Sequence, residues 1–332
     1  MKKHATLEAR TKKNIIVYGL GREFQEQRFF IESHYNIVGY SDKKEMKTEK
    51  YIRPEQIPES DYDYIYVSSS KYFDEMKAEL EGQYCVDKER IISKDDVLGD
   101  FQNAKVRQEW IIDQLKRIPA GKVLLDAGAG QMRYADACKH LKYIAQDLGE
   151  YNSKTAEGGL HSNIESWDKW DVSRLNIVCD IIDMPLENES VDAILCSEVF
   201  EHLKNPILAI KEFSRILKPG GKLILTAPVC CLSHMAPYFY YNGFSEYWYR
   251  EHLKDFDLEI EEFATNGNFF RYLSQELFRV NSMAKQYCKT DLSEDEIKTI
   301  TDSIKIMSKL SALDQGSNET LCFGNMLTAV KK

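Results

Sequence analysis

Four apolar runs in the middle of the chain each end on an acid. VLL ends on Asp126, YIAQ on Asp147, NIVC on Asp180, and AILCS on Glu198. Asp183 follows the third of these, and Glu201 and His202 follow the fourth. Runs of this kind are strands of a parallel sheet, whose ligands bind outside the carboxyl ends of the strands. The polar residues therefore collect where a ligand would lie. Behind Asp126 comes the loop AGAG, in which Gly128 and Gly130 allow a ligand close to the backbone at a helix start.

Two ligands compete for such a loop. A dinucleotide asks for G-x-G-x-x-G facing a pyrophosphate. This loop has no third glycine at that spacing, and Asp126 stands directly beside it. An acid there suits a cation better than a phosphate. Asp147, at the end of the next run, is placed to accept hydrogen bonds from both hydroxyls of a ribose. An adenosine with a positively charged tail meets both demands, which is the description of S-adenosylmethionine.

The elements that must position these residues alternate along the chain. In the first hundred residues, strands are expected at 14–21, 35–42, 62–69 and 90–93, with helices over EFQEQRFFIES and FDEMKAEL. Strand–helix alternation indicates a parallel sheet covered on both faces. FQNAKVRQEWIIDQLKRIP repeats Val106, Trp110, Ile111 and Leu115 at helical spacing and is stopped by Pro119. The second half predicts strands at 122–128, 142–148, 175–181, 191–198, 221–228, 257–264 and 320–330, with KPGG at 218–221 as a turn. Between the last two, Ile297, Ile300, Ile304, Met307 and Leu310 mark one face of a helix. That helix is expected on its own, second domain, with a dimer contact or a lid as the other reading. The expectation is α/β throughout, as two doubly wound domains. Residues 1–100 form a small Rossmann-like domain for nucleotide binding or scaffolding, 101–120 a linking helix, and 121–332 the second domain.

Composition narrows the partners. With 332 residues, 43% of them hydrophobic, each domain has enough apolar residues for a core. A net charge of −9 argues against nucleic acid as the main partner. No stretch is long and apolar enough for a membrane span, and the start lacks the apolar stretch of a secretory signal. None of the eight cysteines forms a CxxC, so reduced, buried thiols in a cytoplasmic protein are expected. The histidines are scattered too, and no metal site is expected.

The second domain resembles the class I S-adenosylmethionine-dependent methyltransferases, of the methyltransferase type 11 kind, over roughly residues 105 to 331. LLDAGAG, YIAQDL, CDIIDMPLENESVDAILCSEVFEHL and ILKPGGKLILTAP carry the likeness, in that order. It implies a seven-stranded methyltransferase domain. It also implies that Asp126, Gly128 and Gly130 line the methionine end of the cofactor and that Asp147 binds the ribose. Leu148 would pack on the adenine, Asp180 and the backbone of Ile181 would meet its edge, and Ser197 and Glu198 would lie near the methyl. The family often has a third glycine where Met132 stands, a departure that bears on the helix start.

Methyl transfer needs alignment, exclusion of water and often removal of a proton from the acceptor. His202, beside the methyl site, is the first candidate base. His234 is the second, and Glu198 and Glu201 are further ones. Asp183 reads equally as a turn former, and Asp192 as structural. The stretch LSHMAPYFYYNGFSEYWYREH (232–252) is rich in aromatic residues that either stack on a sugar or nucleobase or fill a core. Asn268, Arg271, Trp167 and Trp170 are possible neighbours. The HMAP and NGFSEYW stretches are similar to methyltransferases of polysaccharide and surface-glycan biosynthesis, so O-methylation of a glycan or nucleotide-sugar is the preferred reading. A lipid or other small-molecule acceptor, or a non-catalytic nucleotide-binding regulator, are the alternatives. A dehydrogenase would return if NAD bound Gly19, Gly21, Arg22 and Asp42 of the first domain. A homodimer is open.

Overall fold

The computed structural model describes residues 13–21, 23–24, 28, 31–32, 35–44, 47–69, 72–93, 96, 103–150 and 172–332. Arg22, Trp167 and Trp170 lie outside the described residues. The chain divides into two compact units. The first comprises Met1–Gln102 with Leu273–Ala312, and the second Asn103–Tyr272 with Leu313–Lys332.

The first unit holds β1 (Asn14–Tyr18), β2 (Asn36–Ser41), β3 (Tyr64–Val67) and β4 (Ile91–Ile92), with α1 (Phe73–Gly82) between the last two. The strands form a parallel sheet in the order β2-β1-β3-β4. Successive residues of β1 face opposite sides, as the strand period requires. Ile16 and Tyr18 join Leu80 of α1 on one face. Ile15 and Val17 face the other way, onto Ile304, with Leu277, Phe278 and Ile300 against them.

That second face corrects the sequence-based division. The helix expected over 291–313 exists as Glu294–Ser311, but its apolar stripe closes the first sheet, not the second. Periodicity identifies an apolar face and is silent on what covers it. The expected linker corrects in the other direction: helix α2 (Asn103–Lys116) belongs to the second unit. Glu262 holds it there, accepting from Trp110 Nε1 at 3.0 Å and Gln114 Nε2 at 3.0 Å.

The second unit is a mixed seven-stranded sheet, order β10-β11-β9-β8-β5-β6-β7. Its members are β5 (Val123–Ala127), β6 (Lys142–Asp147), β7 (Ile177–Val178), β8 (Val191–Ser197), β9 (Leu217–Pro228), β10 (Leu258–Asn266) and β11 (Gly324–Lys331). The last strand runs antiparallel between β9 and β10. Leu125, Ile194 and Leu225 face α3 (Pro206–Ile216) and α4 (Glu246–Lys254), meeting Phe213, Ile210, Tyr249 and Leu253. Leu124, Leu195 and Ile224 face Ile111 and Leu115 of α2.

Two local expectations change. KPGG is no turn: β9 already begins at Leu217, and the extra residues are absorbed where its register with β8 shifts between Val191 and Ala193. After β5 the chain makes turns and a short 3-10 helix, Ala135–Cys138, instead of a long helix. Met132, in the place of the third glycine, sits in that turn with φ of 54°. This left-handed backbone is costly for a side chain of its size. Of the eight cysteines, all free, Cys138, Cys196 and Cys322 are buried, whereas Cys85 and Cys288 are exposed.

Candidate functional site

The glycine loop closes the end of β5. Gly128 has φ of +77°, and a Cβ there would come within 2.4 Å of Val199 Cγ2. A side chain is excluded on both counts. The Gly128 and Ala129 amides donate to the Gln146 carbonyl at 2.9 and 2.8 Å, tying the loop to β6. Asp147 continues the tie: its carboxylate accepts from the Gly130 amide at 3.0 Å and the Gly149 amide at 3.0 Å. Leu148, beside it, is 38% exposed, an apolar side chain left open next to an acid.

Asp126 is the acid expected to line the methionine end of the cofactor. It is 3% exposed. The Tyr143 phenol donates to its Oδ2 at 2.5 Å. Burial pushes its carboxyl up to about 7, the Tyr143 bond works against that, and Asp147 adds to it. It underlies the loop. Further along the edge, Asp180 is exposed and accepts from the Ile182 amide at 3.2 Å, while the Ile181 side chain is core. Asp183 is exposed, and its amide closes a turn onto the Asp180 carbonyl, as a turn former does. Asp192 is structural, taking the Val123 amide and the Lys122 and Lys218 ammonium groups.

Beyond β8 the acids are arranged unlike free bases. Glu198 has φ of 57° and both carboxylate oxygens occupied. Thr226 Oγ1 donates to Oε1 at 3.1 Å, and Arg107 Nη1 lies 3.1 Å from Oε2. Ser197 Oγ shares Thr226 Oγ1 at 3.0 Å. Glu198 is thus held by Thr226 on one oxygen and by Arg107 on the other. Glu201 is 1% exposed, and burial followed by the nearby Glu198 charge pushes its carboxyl up to about 8.

His202 Nδ1 lies 2.6 Å from the Tyr238 carbonyl, which only accepts, so Nδ1 carries the proton and Nε2 the lone pair. Burial pushes its imidazolium down to about 4, with the Tyr238 carbonyl opposing and His234 assisting. The ring is neutral at pH 7, and its conjugate acid is too strong for an efficient general base. His234 packs edge-on to it with ring centres 4.8 Å apart, its own Nδ1 2.8 Å from the Leu232 carbonyl. The two histidines and Glu201 come together within 4.8 Å, which overturns the expectation that nothing clusters like a ligand set.

The aromatic stretch divides between the two readings. Phe244 and Tyr249 are core, with Trp248 against them. Phe239 stays at the histidines, 5.1 Å from His234, and Tyr238 donates to Glu150 Oε2 at 3.1 Å. Asn268 is a cap, accepting from the Arg271 amide at the start of α5 (Phe269–Met283). In the first unit, Asp42 spends both oxygens on the Leu20 and Lys44 amides, and Ser68 donates to the Gly19 carbonyl.

Comparison with known proteins places these features. Residues 125–225 match a family described as "Methyltransferase domain", and residues 176–300 match a second family of the same description. The second unit is a class I S-adenosylmethionine-dependent methyltransferase domain. Residues 11–92 match "C2185-like, N-terminal". Over 124 residues the chain is 35% identical to a ubiquinone biosynthesis O-methyltransferase of Xanthomonas axonopodis pv. citri (strain 306), covering 36% of this chain and 48% of the relative. A tRNA (carboxymethyluridine(34)-5-O)-methyltransferase of Arabidopsis thaliana is 25% identical over 191 residues, 56% of this chain and 42% of the relative. The chain thus spans less than half the length of these curated relatives. A solved S-adenosylmethionine-dependent methyltransferase from Archaeoglobus fulgidus is 15% identical, with TM-score 0.41, over 68% of this chain and 94% of that one.

Within the methyltransferase domain, sequence reasoning missed Arg107 and Tyr134. Arg107 is on the helix read as a linker, and buried Tyr134 lies beside Ser197 and Arg107. Neither stands in a motif. An acid left at φ > 0 after a strand was the available signal, but dihedral angles are not legible in sequence.

Proposed function

We propose that the protein transfers the methyl group of S-adenosylmethionine to a hydroxyl of a small-molecule acceptor, with a sugar as the preferred acceptor class. The observation that carries the cofactor assignment is Asp147, at the end of β6, turned onto the Gly130 amide with exposed Leu148 at its side. In the bound state this carboxylate takes the ribose hydroxyls and Leu148 covers the adenine. Asp180 and the Ile181 backbone meet the adenine edge. The loop from Gly128 to Gly130 admits the methionine end, and Ser197 lies toward the methyl.

The reaction is an in-line displacement. The acceptor oxygen forms a bond to the methyl carbon as the carbon–sulfur bond breaks, and neutral S-adenosylhomocysteine leaves. The hydroxyl proton goes to solvent. The protein's share is alignment and exclusion of water, at which fixed geometry is worth most. Arg107 and Thr226 hold Glu198 for that purpose.

Oxygen as the acceptor atom is supported by the names of the two curated relatives, both O-methyltransferases. A sugar is supported by Tyr238, Phe239 and Tyr240, aromatic residues that lie outside the core cluster and offer ring faces and phenols together. A cytoplasmic setting is supported by the eight free cysteines. Among the described residues no helix is long and apolar enough to cross a membrane.

The test is formation of S-adenosylhomocysteine from S-adenosylmethionine with nucleotide-sugars, catechol-type phenols and tRNA offered in parallel. Turnover with a nucleotide-sugar is expected. Turnover confined to phenols or tRNA refutes the sugar assignment, and cofactor binding without turnover on any acceptor favours the regulator.

A further inference from the structure

We propose that Glu201, His202 and His234 form a divalent metal site of the two-histidine, one-carboxylate kind, taking a first-row transition ion of the zinc class at the acceptor end of the methyltransferase domain.

Two separate segments build it. Glu201 and His202 lie in the 3-10 turn Phe200–His202 after β8, and His234 in the loop after β9. Their ligand atoms are all within 4.8 Å of one another, and His202 Nε2 is 3.7 Å from Glu201 Oε1. Tetrahedral zinc with bonds of about 2.0–2.2 Å needs ligand–ligand edges of roughly 3.3–3.6 Å. One edge is already close to that length.

The supporting hydrogen bonds are those a metal site requires. Each imidazole donates Nδ1–H to a backbone carbonyl, Tyr238 in one case and Leu232 in the other. Both Nε2 lone pairs are left for a ligand, the outer-shell pattern that fixes metal-binding histidines. Glu201 gives a second, independent sign. It is 1% exposed, and its Oε2 has no hydrogen-bond partner among the described residues. A buried carboxyl oxygen left in this state is costly unless a cation meets it. Arg107, the nearby cation, is engaged by Glu198. Two imidazole nitrogens and one carboxylate oxygen suit zinc and its neighbours better than calcium or magnesium.

The role of the ion rests on the methyl-transfer reading above. With three protein ligands, a position stays open for the acceptor hydroxyl. A bound ion lowers that hydroxyl's pKa, its proton passes to water, and the oxygen then attacks the methyl carbon as the carbon–sulfur bond breaks. The ion stays divalent throughout. This supplies an activation of the acceptor that Glu198, engaged by Arg107, is not placed to give.

The test uses the full chain, dialysed against chelator and titrated with Co²⁺ for its visible d–d bands, with Zn²⁺ stoichiometry from equilibrium dialysis. We expect one ion per chain. His234→Ala, in a half-buried loop position, should abolish it, and the near-isosteric Glu201→Gln should weaken it at least about tenfold. Cys230→Ser with Cys231→Ser should leave it unchanged, since those thiols share the His234 loop without joining the cluster. Absence of stoichiometric binding, binding that survives His234→Ala in a folded chain, or loss in the cysteine variant overturns the proposal. S-adenosylmethionine calorimetry on the same samples keeps the two readings apart. Metal without cofactor binding leaves the site and removes the methyl-transfer role, and cofactor without metal binding does the reverse.

Discussion

Gly128→Ala adds a single methyl group at the floor of the cofactor loop, and its cost follows from two geometric facts. The residue sits at φ of +77°, where an L side chain costs about 1–2 kcal/mol. The new Cβ would also stand 2.4 Å from Val199 Cγ2 and 3.0 Å from Cγ1, where ordinary contact begins at 3.4 Å. Something must yield by about an ångström, and overpacking of that size costs about 1–3 kcal/mol. Together the methyltransferase domain should lose about 2–5 kcal/mol. If the loop yields rather than Val199, the cofactor is misplaced by a similar distance, worth about 100-fold in kcat. The two contributions separate in a double-mutant cycle with Val199→Ala, which removes the clashing methyls and leaves the backbone term. Urea denaturation of the four proteins, followed by circular dichroism, should give a favourable coupling of about 1–3 kcal/mol between the sites. Additive effects, or a Gly128→Ala protein as stable as the parent, would refute the reasoning from the loop's close approach.

The other expectations concern charges. Arg107→Met leaves Glu198 without its ion-pair partner. It should lower kcat/KM by about 10–100-fold, with Glu198→Gln restoring part of the loss in the double variant. Asp126 holds its proton more tightly when folded, at about 7 against an ordinary 3.8. Its contribution to stability is therefore full below pH ~4 and lost as pH rises through about 7, at roughly 1.4 kcal/mol per unit. Asp126→Asn removes that slope, so its stability relative to the parent should improve by about 2–3 kcal/mol between pH 5 and pH 8 in denaturant melts. Tyr238→Phe cuts the bond to Glu150 and spares the backbone contact to His202. A rise of about threefold in acceptor KM with unchanged cofactor affinity is expected in steady-state assays.

Much of the sheet was legible because strand ends are written in residue type. The run to Asp126 gave Val123–Ala127, and the run to Asp147 gave Lys142–Asp147. Where the pattern failed, a tertiary partner had decided the outcome. NIVC suggested a full strand, but as the edge strand β7 only Ile177 and Val178 pair. Gly220 and Gly221 read as a turn, yet β8 pairs on either side of them and draws them into β9. The helix Glu294–Ser311 displayed its apolar stripe and withheld its destination, since the sheet it covers was built more than two hundred residues earlier. The candidate site divides in the same way. Its proposed cofactor end rests on local spacing at the strand ends, which the residue pattern displays. The acceptor end depends on chain segments meeting: Arg107 with Glu198, and His234 with His202 and Glu201. Neither meeting leaves a local trace, so His234, read apart from Glu201 and His202, joined them in a cluster.

The central claim is that the ends of β5 and β6 hold S-adenosylmethionine. Isothermal titration calorimetry of the purified chain, beside Asp147→Ala and with NAD as the competing ligand, tests it most directly. One S-adenosylmethionine should bind per chain, and NAD should give no heat. It also predicts an affinity at least about 30-fold weaker in the variant, since hydrogen bonds to a charged group are worth about 1.5–3 kcal/mol apiece. Unchanged affinity in Asp147→Ala, or binding of NAD in place of S-adenosylmethionine, would contradict it.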